Sequence, residues 1–419
     1  MPPTQNKQPL NRRIKTLGKR LICAVLEAQV RWLRAKHDFK VIAVVGSVGK
    51  TGTKLAVARM LSVRLRVRYQ DGNYNDRLTV PLIVFGHQQP RLFDVWQWLK
   101  IFYNNQRQIR GNFAEEVVIV ELGTDGPGQI AAFSYLQPDL TIVTGIAAEH
   151  MEFFGTLDAV AAEELSAAAF SKALLINLDE TPKPYIAKLT YRGYGVDQLA
   201  NYRLSGLKQN DDLSQTVSLT LLGNSEPLVV NIKLLGAQGA KMVLAAAAVA
   251  KMYGIEDTAI ITGLAAQTPI PGRMQPLPGT NKTFLIDDTY NASPTSMMAA
   301  LQMLYSVRAP QRIAVLGSMN ELGGFSREAH QQVGNFCDPA QLDHLVTIGH
   351  DAEAFLAPAA KERGCQVKSF KSPYEAGKFV KSLVRPGAVV LVKGSQNGVF
   401  AEEAVKQLLA EEADAGKLV

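Results

Sequence analysis

Val41-Ile-Ala-Val-Val45 runs directly into Gly46-Ser-Val-Gly49-Lys50-Thr51, and a helical pattern follows from about Thr53 to Val63. Five apolar, mostly β-branched residues in a row read as a strand buried on both faces, the kind that parallel sheets use. A glycine-rich turn between such a strand and a helix suits a phosphate. The glycines let backbone N–H groups face the anion, and the helix N-terminus adds a positive dipole. Gly46, Ser47, Val48 and Gly49 form the cradle, Lys50 reaches the β- and γ-phosphates, and Thr51 offers a hydroxyl to Mg²⁺. The longer form of this motif needs glycine at position 44, where the chain has Val44, so the spacing is the shorter GxxGKT form.

Working outward, the same strand type recurs at Val117–Glu121, Leu140–Thr144 and Ala173–Asn177, with alanine-rich helical stretches between. That alternation predicts a mostly parallel sheet covered by helices on both faces. Val217–Leu221 and Leu228–Leu234 alternate in part, as antiparallel strands do, and a helix over about 240–253 follows. Thr268-Pro-Ile-Pro-Gly272 breaks the pattern. Strand signals then restart at Thr283–Asp287, Arg312–Leu316, His344–Ile348, Val367–Phe370 and Ala388–Val392. The expected organisation is α/β: a basic helical arm over 1–40, a central phosphate-loop unit over 41–268, and a smaller Rossmann-like α/β unit over 269–419.

The 419 residues are too many for one ordinary domain. With 47% apolar and 20% charged residues, the chain is neither disordered nor fibrous. No apolar run reaches the ~18–20 residues of a membrane span, and no signal peptide is expected. Cys23, Cys337 and Cys365 are odd in number and far apart, which points to a reducing cytoplasm rather than a disulfide framework or zinc cluster.

Charge is concentrated at one end. In residues 1–40, ten Lys and Arg stand against Glu27 and Asp38, giving +8 where the whole chain is +7. The rest is nearly neutral, so no nucleic-acid partner is expected. Leu17, Leu21, Ala24, Val25, Ala28 and Trp32 recur at helical spacing between these cations. Two readings stay open: a helix docked on the unit behind it with a solvated basic rim, or a surface helix touching anionic lipid or an acidic partner.

Glu121 closes its strand and His150 follows the next strand by a few residues. Carboxyl ends of parallel strands form the ligand-binding edge of such a sheet. Both therefore lie on the edge that carries the phosphate loop, as candidate Mg²⁺ ligands.

The spaced set GSVGKT (46–51), NYNDRLTVPL (73–82), ELGTDGPGQI (121–130), GIAAEHMEFFGTLDAVA (145–161), INLDE (176–180), PGR (271–273), DDTYNASPTSM (287–297), GSMNELG (317–323) and VKGSQNG (392–398) resembles the Mur ligases. The resemblance runs in order from about residue 41 to 410. It is strongest to the members that add D-Ala-D-Ala to a UDP-linked muropeptide in peptidoglycan precursor synthesis. It implies an ATP- and Mg²⁺-dependent ligase that phosphorylates a carboxylate and then joins the acyl phosphate to an amine, acting as a monomer. It further implies that Thr51 and Glu121 hold one Mg²⁺ and His150 a second. Arg273 and Asn291 would meet the nucleotide, and Asp287 or Asp288 would lie near its ribose or the hinge. Asn177 matches a motif after a central strand. Asn75, Lys393 and Ser395 would lie near the substrate.

The sequence also departs from the family. Glu164 stands where relatives carry a carbamylated lysine near the second Mg²⁺, and its carboxylate is expected to replace the carbamate. Gln238, Gly239 and Met242 replace a His-Asn pair and a later Asn. Ser318 stands for Asp and Gln396 for Arg. About 40 residues precede the first strand, where full-length relatives carry a UDP-binding domain; the basic arm could substitute electrostatically. Two rival readings accompany the ligase: a Mur-like enzyme acting on another acid, as folylpolyglutamate and cyanophycin synthetases do, and a non-catalytic nucleotide-binding scaffold.

Overall fold

A computed structural model describes residues 10–418. Residues 1–9 of the expected arm lie outside the described residues. From the N-terminus come helix α1 (Leu10–Lys36), strand β1 (Lys40–Val45) and helix α2 (Lys50–Leu61). After β2 (Val67–Arg68) come α3 (Thr79–Phe85), α4 (Val95–Arg110), β3 (Val117–Glu121), β4 (Leu140–Val143) and α5 (Leu157–Leu165). The first unit ends with β5 (Leu174–Asn177), β6 (Arg192–Gly195), β7 (Tyr202–Gln209), β8 (Gln215–Thr220), β9 (Leu228–Ile232) and α6 (Gly236–Met252).

These strands form one sheet of nine, in the order β2-β3-β1-β4-β5-β6-β7-β8-β9. Pairing is parallel from β2 to β7 and antiparallel from β7 to β9. The reason β1 must be apolar throughout is visible in its neighbours. Ile42 and Val44 enter one core with Ile119, Ile142 and Leu175, while Val41, Ala43 and Val45 enter the other with Val118, Val120 and Ile176. Period-two alternation thus feeds two cores at once.

The second sheet contains β10 (Gln275–Gly279), β11 (Thr283–Asp288), β12 (Arg312–Gly317), β13 (His344–Ile348), β14 (Val367–Phe370) and β15 (Val389–Lys393), with helix α7 (Pro294–Ser306) after β11. Its order is β10-β11-β15-β12-β13-β14. Only β10 runs antiparallel. It carries Pro276 and Pro278, residues that only an edge strand tolerates, which hid it from a pattern-based reading. Helices α3 and α4 and strands β6 and β7 were likewise not expected individually.

Helix α1 is docked, but through a different row from the one its spacing suggested. Leu17, Leu21 and Trp32 point outward, 70%, 67% and 55% exposed. The docked face is Cys23, Leu26, Val30 and Leu33. Cys23 and Leu26 pack with Leu78, Leu82, Trp98 and Ile101. The helix has two apolar rows, and only the surface it meets selects between them. All three cysteines are free and buried. Among the described residues, no helix is long and apolar enough to cross a membrane.

Candidate active site

Strand β1 lies between β3 and β4, so the chain leaves all three strands on one edge. The register pairs Val44 with Glu121 and Val45 with Val143. Consecutive elements depart to opposite sides of β1 there, which opens a crevice at the sheet's switch point. The loop of residues 46–49 sits in it. Gly46 has φ 120° and Gly49 φ 83°. A Cβ on Gly46 would lie 2.5 Å from Thr144 Oγ1 and 2.8 Å from Gly145 O, so a side chain fits neither the backbone nor the space.

Lys50 curls back over this loop. Its Nζ donates to Gly46 O at 2.5 Å and Ser47 O at 3.4 Å and lies 3.6 Å from Glu149 Oε1. Burial works against its charge, but the carboxylates of Glu149, Glu164 and Glu121 outweigh it and hold its pKa above the usual lysine value. One helical turn on, Lys54 is 3.5 Å from Glu121 Oε2, and both side chains are 1% exposed. Glu121 Oε1 accepts from Asn75 Nδ2 at 3.1 Å. Arg273 spans from the second unit, donating to Thr51 Oγ1 at 3.4 Å and lying over the Tyr290 ring at 4.2 Å.

Glu121 Oε2 and Glu149 Oε2 are buried without a hydrogen-bond partner. Both carboxylates line the cleft with Thr51. Glu149 Oε2 is the orphan, while Glu121 Oε2 has only the Lys54 ammonium at 3.5 Å; carboxylate oxygens with a hydroxyl on the same cleft fit Mg²⁺, which binds through one or two carboxylates plus substrate phosphates. Among the described residues no group of three His, Cys, Asp or Glu forms a cage made of protein ligands alone.

His150, expected as a Mg²⁺ ligand, sits between two carboxylates. Its Nε2 lies 3.2 Å from Glu149 Oε1 and its Nδ1 3.0 Å from Glu321 Oε2. The bond to Glu149 is the main reason its pKa is raised. Carboxylates beside both nitrogens favour the charged ring. In this arrangement His150 bridges the two units.

Glu164, expected near the second Mg²⁺, lies beneath the loop. It is 2% exposed, does not line the cleft, and its Oε2 accepts from the Gly46 N–H at 2.7 Å. Burial, seconded by the charge of Glu149, raises its pKa to about 7, against the pull of Lys50 and the Gly46 N–H. A carboxyl whose folded-state pKa lies above its unfolded value stabilises the fold fully at low pH. That contribution is lost as pH rises from about 4.5 through about 7. Glu164→Gln keeps an acceptor for Gly46 and removes the titration. Thermal unfolding should therefore show variant and wild type matched near pH 4 and the variant more stable at pH 8, by up to about 3 kcal/mol. A difference that does not grow with pH would place the carboxylate elsewhere.

The other expected residues divide. Asp288 lines the cleft, accepts from Met274 N at 3.1 Å and pairs with Lys393 at 2.7 Å. Asp287 is fully buried, bound by Thr289, and does not line it. Successive residues of β11 face opposite sides of the sheet, which resolves the alternative in favour of Asp288. Lys393 also donates to Asn291 O at 2.8 Å, so it is tethered at the cleft wall. Ser395 accepts from Asn320 N at 3.1 Å. Asn177 is buried and holds Thr144 O at 3.0 Å, behind the cleft and outside its lining. Gln238, Gly239 and Met242, where the sequence departs from its relatives, do line the cleft.

Two cavities meet here. The first encloses roughly 1550 Å³ with its open mouth and runs between the loop, the start of α6 and residues 270–274 and 288–300. The second, roughly 2180 Å³, extends the other way toward α1 and residues 123–133. Together they form lined space on both sides of Lys50. They share Lys50, Asn73, Glu149, His150, Tyr290, Asn291, Asn320 and Glu321. Of the residues the sequence reading passed over, Lys54 was findable from its i,i+4 spacing to Lys50, and Glu149 from its place beside His150. Nothing local signals Glu321, which arrives only because the two units meet.

Residues 44–250 match the Mur ligase middle domain and residues 272–396 the Mur ligase glutamate ligase domain. The chain is 29% identical over 385 residues to the UDP-N-acetylmuramoyl-tripeptide–D-alanyl-D-alanine ligase of Synechocystis sp., covering 90% of this chain and 76% of that protein. Its fold is similar to the crystal structure of MurF from Acinetobacter baumannii, with a TM-score of 0.74 at 23% identity over 93% of this chain and 81% of that one. MurF from Thermotoga maritima in complex with ADP gives 0.72 at 22% identity over 92% and 84%.

Proposed function

This chain belongs to the Mur ligase family, and from that membership we propose that it is an ATP-dependent, ADP-forming ligase that adds D-Ala-D-Ala to UDP-MurNAc-tripeptide. The curated relative carries that activity in its name at 29% identity over most of both chains. The observation that carries the reading is the meeting of two cavities at Lys50, with a phosphate loop on one side.

In this reading ATP occupies the first cavity, its phosphates on the N–H groups of residues 47–50 at the α2 N-terminus. The acid occupies the second, its carboxylate beside Lys50. A carboxylate oxygen attacks the γ-phosphorus, and the bond to the β–γ bridging oxygen breaks to release ADP. The amine of D-Ala-D-Ala then attacks the acyl carbon, phosphate leaves, and the amine's proton is lost. Lys50 and the loop amides stabilise negative charge on the moving phosphoryl group. Thr51, Glu121 and Glu149 would hold Mg²⁺, which supplies further charge neutralisation at the phosphates. Arg273 and Tyr290 reach the nucleotide side from the second unit, and the His150–Glu321 contact holds the units closed so that water is kept from the acyl phosphate.

Phosphate release from ATP, with UDP-MurNAc-tripeptide and D-Ala-D-Ala omitted in turn, tests the reading. Sustained release should require both, with a pentapeptide product by mass. Turnover with another acid or amine only, or none, would move the function away from this pair.

A further inference from the structure

The N-terminal half of α1 overhangs the second cavity. Lys15, Thr16, Lys19, Arg20 and Cys23 line it, across from Lys50. Position 19 lies four residues from 15 and three from 16, and position 23 four from 19, so they share a face of the helix. Further along, that face is the buried row Cys23, Leu26, Val30 and Leu33. One face is therefore apolar where it packs and cationic where it meets the cavity. Lys15, Lys19 and Arg20 are exposed where they border the cavity, and Leu17, Leu21 and Trp32 are exposed on the other face of the helix.

The cations there are available. Arg77 on the same wall is paired with Glu27 at 2.5 Å. Lys15, Lys19 and Arg20 have no carboxylate partner among the described residues; Lys15 Nζ lies 5.8 Å over the Phe93 ring. Most carboxylates that reach the cavity are engaged. Asp76 accepts from the N–H groups of Leu78 and Thr79, Glu149 faces Lys50 and His150, and Glu321 faces His150. Asp125 is the remaining one, on the wall formed by Gly123, Thr124, Gly128 and Gln129. Three unpaired cations converging on a cavity whose other end is Lys50 call for a ligand with anionic charge at both ends.

We propose that Lys15, Lys19 and Arg20 form a subsite for the diphosphate of the acid substrate, which then spans the cavity with its carboxylate at Lys50. This rests on the ligase reading above. The required chemistry is a diphosphate ester joined to a carboxylate, and it has two sources, a soluble nucleotide or a lipid diphosphate.

Calorimetric binding to the full chain separates the cases, using UDP-MurNAc-tripeptide, MurNAc-tripeptide without diphosphate, and the polyprenyl-diphosphate form in neutral micelles. The variant K15A/K19A/R20A should bind the diphosphate-bearing form at least ~10-fold more weakly, with MurNAc-tripeptide and ADP bound as in the wild type. The charge-preserving variant K15R/K19R/R20K should retain the wild-type affinity. If only the micellar form shows the dependence, the source is the lipid; if the UDP form shows it, the nucleotide. Equal affinities of variant and wild type for both diphosphate forms, equal loss for MurNAc-tripeptide, or no preference of the wild type for diphosphate would overturn the subsite. ADP formation by the wild type in the same samples reports on the ligase reading independently.

Discussion

Lys50→Ala should lower ADP formation in the presence of acid and amine by roughly 10³-fold while leaving the fold intact. The side chain lies at the junction of both cavities, within reach of whatever bridges them. Its charge is held on by Glu149, Glu164 and Glu121 despite burial, so it is a full cation where the transferred phosphoryl group would accumulate negative charge. Losing one such preorganised donor costs about 10²–10³ in rate in comparable sites, and a full charge belongs at the upper end. Its packing role is small, since its two hydrogen bonds go to carbonyls of its own loop. Circular dichroism should match the wild type, while thermal unfolding should register some loss, because Glu149, Glu164 and Glu121 lose a nearby cation. Activity within tenfold of wild type would remove Lys50 from the chemistry and with it the junction argument.

The second large effect is on stability. Lys54→Ala should destabilise the fold by about 3–5 kcal/mol in denaturant unfolding. Lys54 and Glu121 are each 1% exposed and face each other at 3.5 Å. Lys54 also donates to Gly72 O at 2.6 Å. Removing the cation leaves a buried carboxylate with Asn75 as its one hydrogen-bond donor and strands the Gly72 carbonyl. The pair itself is no net gain over apolar packing, because burial lowers the pKa of Lys54 even with Glu121 beside it. Lys54→Met combined with Glu121→Gln should therefore recover much of the lost stability and none of the activity, if Glu121 serves the phosphates. A loss below ~1 kcal/mol in Lys54→Ala would show that the pair does not anchor this edge of the sheet.

These effects converge on a site that was largely legible before any coordinates. The phosphate loop could be read because its signal is local: a strand, two glycines and a helix start lie within a dozen residues. The strands could be read because each one between two helical layers must be apolar on both faces, and Val41–Val45, Val117–Val120 and Val389–Val392 have no other reason to be so. Glu121 followed from the rule that parallel strands present their carboxyl ends to ligands. The family could be read because nine short motifs occur in one order.

What the sequence could not decide are pairings between distant residues. Glu164 lies 118 positions from the Gly46 N–H it accepts, and no periodicity says that α5 ends beneath the loop. His150 has Glu149 and Glu321 at its two ring nitrogens, the second from the other unit, a meeting no local window shows. Helix α1 offered two apolar rows, and the surface formed by Leu78, Leu82, Trp98 and Ile101 chose the less obvious one. That choice also turned Lys15, Lys19 and Arg20 toward the cavity. Composition and spacing fix which residues a helix or strand carries on each face. Which face meets which neighbour is a property of the packed whole, because it depends on contacts no local window contains.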